Sequence, residues 1–400
     1  MLETVVVPTP FLILGIFVAI ALSLDHVNTN RAGAVGSVAW LINMASVANL
    51  ALGVDCIIAV SCMFVYPFSR KLYRRLNSYV AQALWVEGTA SVLSPAEIVL
   101  TGEVPDAAGQ AIVIANHQVD ADWWYIWEIM RFARRHGQMK IILMAEGTKN
   151  LPIIGWAMRG FEFIFLKRNW AHDRDNLQRQ LSLFMEDTFP LRLLIFPEGT
   201  TCNARSMEKC VAYAKKESRP TFQHLLLPRT TGFNTCTDAF ARGWANGRKN
   251  GDPGGNNGGT SAGGAREEPI VFDLTIAYTG YSGEIPPWEL GFERKVDVTM
   301  PNVRKLLRGQ RMGPVHIHIE KHSLADVQAG GDGWLDAAWA RKDKLLEEFL
   351  AKGRFPHTPT QVFTATRKPL SFCILSALPV VFYWLLKGAA GALLTSLQAS

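Results

Sequence analysis

Residues 111–132 read AIVIANHQVDADWWYIWEIMRF, and the reading of this stretch decides the fold. Ala111 to Ala115 is a short run of small and β-branched apolar residues with no polar member, the pattern of a strand covered on both faces. From Asp122 to Arg135 apolar residues recur at helical spacing. Between them lies Asn116-His117-Gln118-Val119-Asp120-Ala121-Asp122, a polar turn from strand to helix in which Asp120 is the expected N-cap. Outward from this unit the same alternation repeats. Lys140 to Met144, Phe161 to Leu166, Leu191 to Phe196 and Leu225 to Leu227 read as buried strands, and Asp175 to Met185 as an amphipathic helix. Ile270 to Tyr278 and Val315 to Ile319 resume the strand pattern. The expectation is an α/β fold, a mixed sheet flanked by helices.

Hydrophobic residues make up 48% of the 400 and charged residues 19%, below the roughly 25% of a soluble domain. The deficit sits at the ends of the chain. Thr9 to Leu24 is apolar, has no preceding Lys or Arg, and is read as an anchor, not a cleaved signal peptide. Ala32 to Phe68 is too long for one crossing and contains Asn43, Asn49 and Asp55, so a helical hairpin and a span followed by an interfacial helix both fit. It ends in Ser69-Arg70-Lys71-Leu72-Tyr73-Arg74-Arg75, a basic cluster that marks the cytosolic side and is suited to anionic headgroups. A third apolar stretch begins at Pro369, after Arg367 and Lys368. The expected division is 1–68 for membrane-anchoring helices and 69–245 for the core. A disordered Gly-rich insertion follows over 246–268, then the remainder of the cytosolic domain over 269–366 and a membrane segment over 367–400.

The net charge of +6 suits a surface that meets anionic phosphate or lipid, and no nucleic-acid motif accompanies it. Six cysteines (Cys56, Cys62, Cys202, Cys210, Cys236 and Cys373) show neither CxxC pairs nor zinc spacing, as in a reducing compartment. His316 and His318 share one face of a strand, but no third ligand accompanies them, and no metal is expected.

Chemistry concentrates in four places. His117 and Asp122 are five residues apart, about 140° apart on one continuous helix, so they meet only if His117 stands on the turn and Asp122 in the first helical turn. A His oriented by a carboxylate is the base half of a triad, and a substrate hydroxyl can serve as its nucleophile. Asn116 beside it is expected to lend a hydrogen bond. Lys167 and Arg168 end a strand with two cations fit for a phosphate. Phe196-Pro197-Glu198-Gly199-Thr200 is a tight turn after a strand, with Glu198 read as a hydrogen-bond partner for an acceptor hydroxyl and the backbone N–H groups as oxyanion donors. Pro228 and Arg229 close a further apolar run with another cation. No GxSxG elbow is present.

In this order and spacing the four places resemble the glycerolipid acyltransferase family, the 1-acylglycerol-3-phosphate acyltransferases. Asn116-His117 to Asp122 is similar to its NHxxxxD block, Arg168 to its Arg-ending block, Phe196 to Thr200 to its FPEGT block and Pro228 to its final Pro block. Gly155-Trp156-Ala157-Met158, FIFLKRNW and PRTTGF look like the branch with lysocardiolipin and lysophosphatidylinositol acyltransferases. Thr201 departs from the Arg that many members carry after FPEGT. The resemblance implies an acyl-CoA-dependent enzyme without a cofactor. It would acylate the sn-2 hydroxyl of lysophosphatidic acid, or of another lysophospholipid such as lysocardiolipin or lysophosphatidylinositol. His117 and Asp122 would be catalytic. Asn116, Lys167, Arg168, Glu198, Gly199, Thr200, Pro228 and Arg229 would bind substrate. The expected partners are acyl-CoA, the lysolipid and the bilayer, and the expected place is the endoplasmic reticulum membrane with the catalytic domain facing the cytosol. A non-catalytic membrane scaffold and a lipid hydrolase are the readings from other classes; the intact His117–Asp122 pair opposes the first and the lack of a protein nucleophile the second.

Overall fold

The computed structural model describes residues 34–93, 95–106, 108–167, 169–250, 267–285 and 300–399. The apolar run at Thr9 to Leu24, Arg168 and most of the Gly-rich stretch lie outside them. The chain enters through α1 (Ala34–Phe64), α2 (Arg70–Leu76), a π-helical turn at Asn77–Gln82 and α3 (Ala83–Val92). Then come β1 (Glu97–Gly102), β2 (Ala111–Ala115), α4 (Asp122–Phe132), β3 (Met139–Met144), α5 (Ile154–Gly160), β4 (Ile164–Leu166), α6 (Trp170–Met185), β5 (Arg192–Ile195) and α7 (Ala204–Lys216). The second half holds α8 (Thr230–Asn250), β6 (Ile270–Tyr278), α9 (Val303–Leu307), β7 (Val315–Ser323), α10 (Leu324–Ala329), α11 (Gly331–Lys352), β8 (Pro359–Thr364) and α12 (Pro369–Ala399).

Among the described residues the strands form one sheet in the order β4-β3-β5-β2-β6-β7-β1-β8. It is parallel from β4 to β6, antiparallel between β6 and β7, and closed by antiparallel β8 on β1. Segments 69–245 and 269–366 therefore share one sheet. Alternation along β2 shows how it is covered: Ala111, Val113 and Ala115 face a core with Trp124, Tyr125 and Trp127 of α4, while Ile112 and Ile114 face a core with Leu177, Phe184, Phe240 and Trp339. Helices pack on both faces, giving three layers. Trp124 and Trp127 are buried, as expected of core tryptophans.

Three expectations are corrected here. Leu225 to Leu227 is not a strand: the Leu226 N–H goes to Glu198 and the Leu227 N–H to Cys210, so no ladder forms. The polar residues at 43, 49 and 55 do not break the second apolar run, in which Ala34–Phe64 is one 31-residue helix; Asn43 donates to the Leu307 carbonyl at 2.7 Å. The stretch from 246 begins as helix, since α8 continues through Asn250.

α1 and α12 are both long and apolar enough to cross a membrane. They touch at Gly53, where an added Cβ would sit 2.1 Å from the Leu375 carbonyl oxygen. Only a residue without a side chain allows so close a crossing. α12 runs unbroken through Pro379, Lys387 and Gly388.

The three arginines of the α2 cluster are paired with acidic residues, while Lys71 stays exposed. Arg74 is buried and bonds Glu162 at 2.7 Å, with Asp187 at 3.8 Å. Arg70 reaches Glu162 at 3.3 Å and Arg75 reaches Asp187 at 3.1 Å. These guanidinium groups hold the Glu162 carboxyl below its usual range against the opposing effect of burial. A buried pair stripped of one partner loses about 3–5 kcal/mol. Arg74→Ala is expected to lower the melting temperature in detergent sharply, whereas Arg70→Ala, removing the more exposed arm, lowers it far less; equal, small shifts would show that the cluster does not brace the fold.

Candidate active site

The carboxyl ends of three adjacent parallel strands meet at one place. β2 delivers Asn116 and His117, β5 delivers Phe196 to Thr200, and β6 ends on Tyr278. In open α/β sheets, loops leaving the carboxyl ends of parallel strands are free to carry function. His117 stands on the turn and Asp122 is the first residue of α4, which brings His117 Nδ1 within 2.8 Å of Asp122 Oδ2. Asp122 has no exposed surface. It also accepts from the Val119 N–H at 3.1 Å and from the Tyr278 hydroxyl. Phe196 stacks on the imidazole with ring centroids 4.2 Å apart. With Nδ1 committed to the carboxylate, the other ring nitrogen is the one left for a substrate proton.

The expected N-cap is corrected: Ala121 occupies that position without a side-chain bond, and Asp120 instead accepts the Val303 N–H at 3.1 Å. Burial raises the Asp120 carboxyl to about 6. Asn116 is also corrected as a substrate contact. It is buried, donates to the Ile276 carbonyl at 3.0 Å and accepts the Ile276 N–H at 2.8 Å, which fastens the end of β2 to β6.

Glu198 is likewise spent inside the protein. Its Oε1 accepts the His117 N–H at 3.2 Å and Trp339 Nε1–H at 3.3 Å, and its Oε2 accepts the Leu226 N–H at 3.3 Å. One carboxyl thus joins the catalytic turn, α11 and the 225–227 segment, and it is not presented to an acceptor hydroxyl. Gly199 has φ +73°, and a Cβ there would lie 3.2 Å from Arg229 Nε. The turn consequently sits directly against Arg229, whose own N–H donates to the Pro197 carbonyl at 2.9 Å.

Glu198, Gly199, Thr200, Pro228 and Arg229 line one open cleft of about 990 Å³. Lys167 is exposed and outside the lining residues, its N–H bonded to Asp173. Arg219 reaches Asp336 and the Pro228 carbonyl at the cleft wall. Burial raises the Cys202 thiol, which argues against a thiolate nucleophile beside His117. His318 pairs with Thr101 at 2.9 Å and stacks on His357. Asp273, Glu320 and His322 approach one another, but the buried Lys342 ammonium already sits 2.5 Å from Asp273. Tyr278 and Trp339 escape sequence reasoning; a Tyr closing a buried strand at its carboxyl end is the signal that could have found the first.

Comparison with known proteins matches residues 97–233 to the acyltransferase family model and residues 305–376 to the acyltransferase C-terminus model. The 1-acyl-sn-glycerol-3-phosphate acyltransferase 2 of Brassica napus is 29% identical over 316 residues, 76% of this chain and 70% of that protein. Lysocardiolipin acyltransferase 1 of Danio rerio is 29% identical over 256 residues, 63% of this chain and 56% of that protein. The Mus musculus protein of the same name is 25% identical over 336 residues, covering 82% and 78%.

Burial pushes the Glu198 carboxyl up to about 8 from an ordinary 4.5, and its three N–H donors only partly offset this. Between these values the folded chain holds a proton that the unfolded chain releases, so this contribution is complete below about 4.5 and fades as pH rises through about 8. Glu198→Gln cannot titrate and turns a donor against the Leu226 N–H, a cost of about 1–3 kcal/mol. The variant is expected to melt lower than wild type at pH 5 and to show a flatter melting profile between pH 5 and 8; parallel profiles would show that Glu198 does not titrate in this window.

Proposed function

Because the chain belongs to the acyltransferase family, we propose that it transfers an acyl group from acyl-CoA to the free sn-2 hydroxyl of lysophosphatidic acid, making phosphatidic acid. The observation that carries this reading is the 2.8 Å bond between His117 and a fully buried Asp122, held against Phe196 and Glu198, which line a cleft with cations on its walls. The names of the relatives, which include both 1-acyl-sn-glycerol-3-phosphate and lysocardiolipin acyltransferases, support a lysophospholipid acceptor.

In the proposed reaction the imidazole takes the proton of the acceptor hydroxyl while its oxygen attacks the thioester carbonyl. Asp122 holds the tautomer and stabilises the imidazolium. The C–S bond then breaks, and the departing thiolate takes the proton from the imidazolium, leaving an ester and free CoA. The step uses no metal, no cofactor and no covalent acyl-enzyme. Arg229, with Lys167 and Arg168 as further candidates, would hold the acceptor phosphate, and Thr200 would supply a backbone N–H to the developing oxyanion, since the Gly199 N–H is taken by the Phe196 carbonyl at 2.9 Å. The two apolar helices would set the cleft beside the bilayer so that acyl chains stay in lipid. The basic residues after α1 and before α12 support a reading in which the catalytic domain faces the cytosol, with the endoplasmic reticulum as the proposed membrane.

The test is transfer from labelled oleoyl-CoA to lysophosphatidic acid by wild type and variants in membranes. His117→Ala is expected to abolish product, Asp122→Asn to lower kcat/KM by about 10³–10⁴, and Tyr278→Phe by about tenfold, the loss of one bond to a charged group. Activity of His117→Ala equal to wild type would remove the base from the mechanism. Wild-type activity confined to lysocardiolipin or lysophosphatidylinositol would keep the chemistry and change the acceptor.

A further inference from the structure

α7 lies along the cleft and turns a single stripe of side chains into it. Asn203 and Ser206 form a reciprocal capping box that fixes its first turn at the cleft mouth. Arg205, Lys209 and Tyr213 follow at i, i+4 and i+8, the spacing that stacks residues on one helix face, and all three line the cleft. They span about 12 Å along the axis. Among the described residues no carboxylate lies within ion-pair distance of Arg205 or Lys209, whereas Arg219 on the same wall is closed by Asp336 at 2.5 Å. The acidic side chains that line the cleft do not neutralise the stripe. Asp173 is taken by the Lys167 and Asn169 N–H groups at 2.8 and 3.1 Å, and Glu198 by its three donors. Tyr213 is 53% exposed and keeps its ring face open.

We propose that this face of α7 holds the nucleotide end of the acyl donor, with Arg205 and Lys209 on its phosphates and Tyr213 against its base. The inference rests on the acyl-CoA reading above. Two cations one turn apart offer two anion positions, and an exposed aromatic one turn further offers a π-face of the kind on which a base stacks. A lysophosphatidic acid headgroup supplies a single phosphate and no flat ring, so it leaves the far half of the stripe unused. Arg229 remains for that phosphate, because it lies against Gly199, next to the Glu198 carboxyl that holds the His117 backbone. Donor and acceptor thus enter from different walls of one cleft.

The experiment uses the full chain in nanodiscs and adenosine 3′,5′-bisphosphate as a probe, with binding followed by calorimetry. Wild type is expected to bind it, and Arg205→Ala, Lys209→Gln and Tyr213→Leu each to weaken binding about tenfold, one lost interaction apiece. Thermal melting, expected to match wild type, identifies any variant that fails to fold. In turnover assays the same variants are expected to raise KM for oleoyl-CoA about tenfold and to leave KM for the lysolipid in place. No binding of the probe by wild type, equal affinity across the folded variants, or a rise confined to the lysolipid KM would overturn the assignment. Probe binding that depends on the stripe, in a protein that acylates no lysolipid, would instead sink the acyl-transfer reading and leave the nucleotide site standing.

Discussion

A carboxylate with no exposed surface must find donors inside the protein, and Asp122 finds them in His117, Val119 and Tyr278. Each donor comes with a structural demand. His117 has to leave β2 on a turn, not a helix. Val119 has to place its N–H over the start of α4. Tyr278 has to arrive at the end of a strand lying beside β2. The order β5-β2-β6, parallel throughout, meets all three demands, and the Asn116 bonds to Ile276 lock the last two strands in register. The parallel half of the sheet and the His117–Asp122 pair are consequently one arrangement, and a slip of either strand would leave a buried carboxylate without its donors.

Glu198 performs a similar task for the other wall. Its donors come from three distant parts of the chain, so the FPEGT turn acts as a hub behind the site. What reaches the cleft from this turn is the backbone around Gly199 and the guanidinium of Arg229 lying against it. Sequence reading assigned Glu198 to substrate because a carboxylate next to a glycine turn at a strand end has the right chemistry; burial and hydrogen bonding decided otherwise.

Much of this was legible in the residues. A five-residue apolar strand, a polar turn and a helix with large apolar residues on its buried face specify β2, His117 and α4 almost completely, and the spacing of five between His117 and Asp122 dictates where each must stand. What was not legible depended on partners far along the chain. Leu225 to Leu227 has the apolarity of a strand, but apolarity reports burial and not where the N–H groups go. Asp120 has the look of a cap, yet its carboxylate serves Val303, 183 residues away. β8 is exposed along most of its length and so carries no apolar signal. The basic cluster of α2 reads as a surface patch because its acidic partners are far along the chain, Glu162 88 residues after Arg74 and Asp187 112 residues after Arg75.

The contact at Gly53 has a consequence for how the molecule comes into being. The first helix described meets the last one backbone to backbone, with the whole catalytic layer between them in sequence. Until Leu375 has been made, the groove at Gly53 and Leu50 has no backbone to cover it. The sheet can assemble before then, but this contact closes as a clasp does, only when α12 arrives.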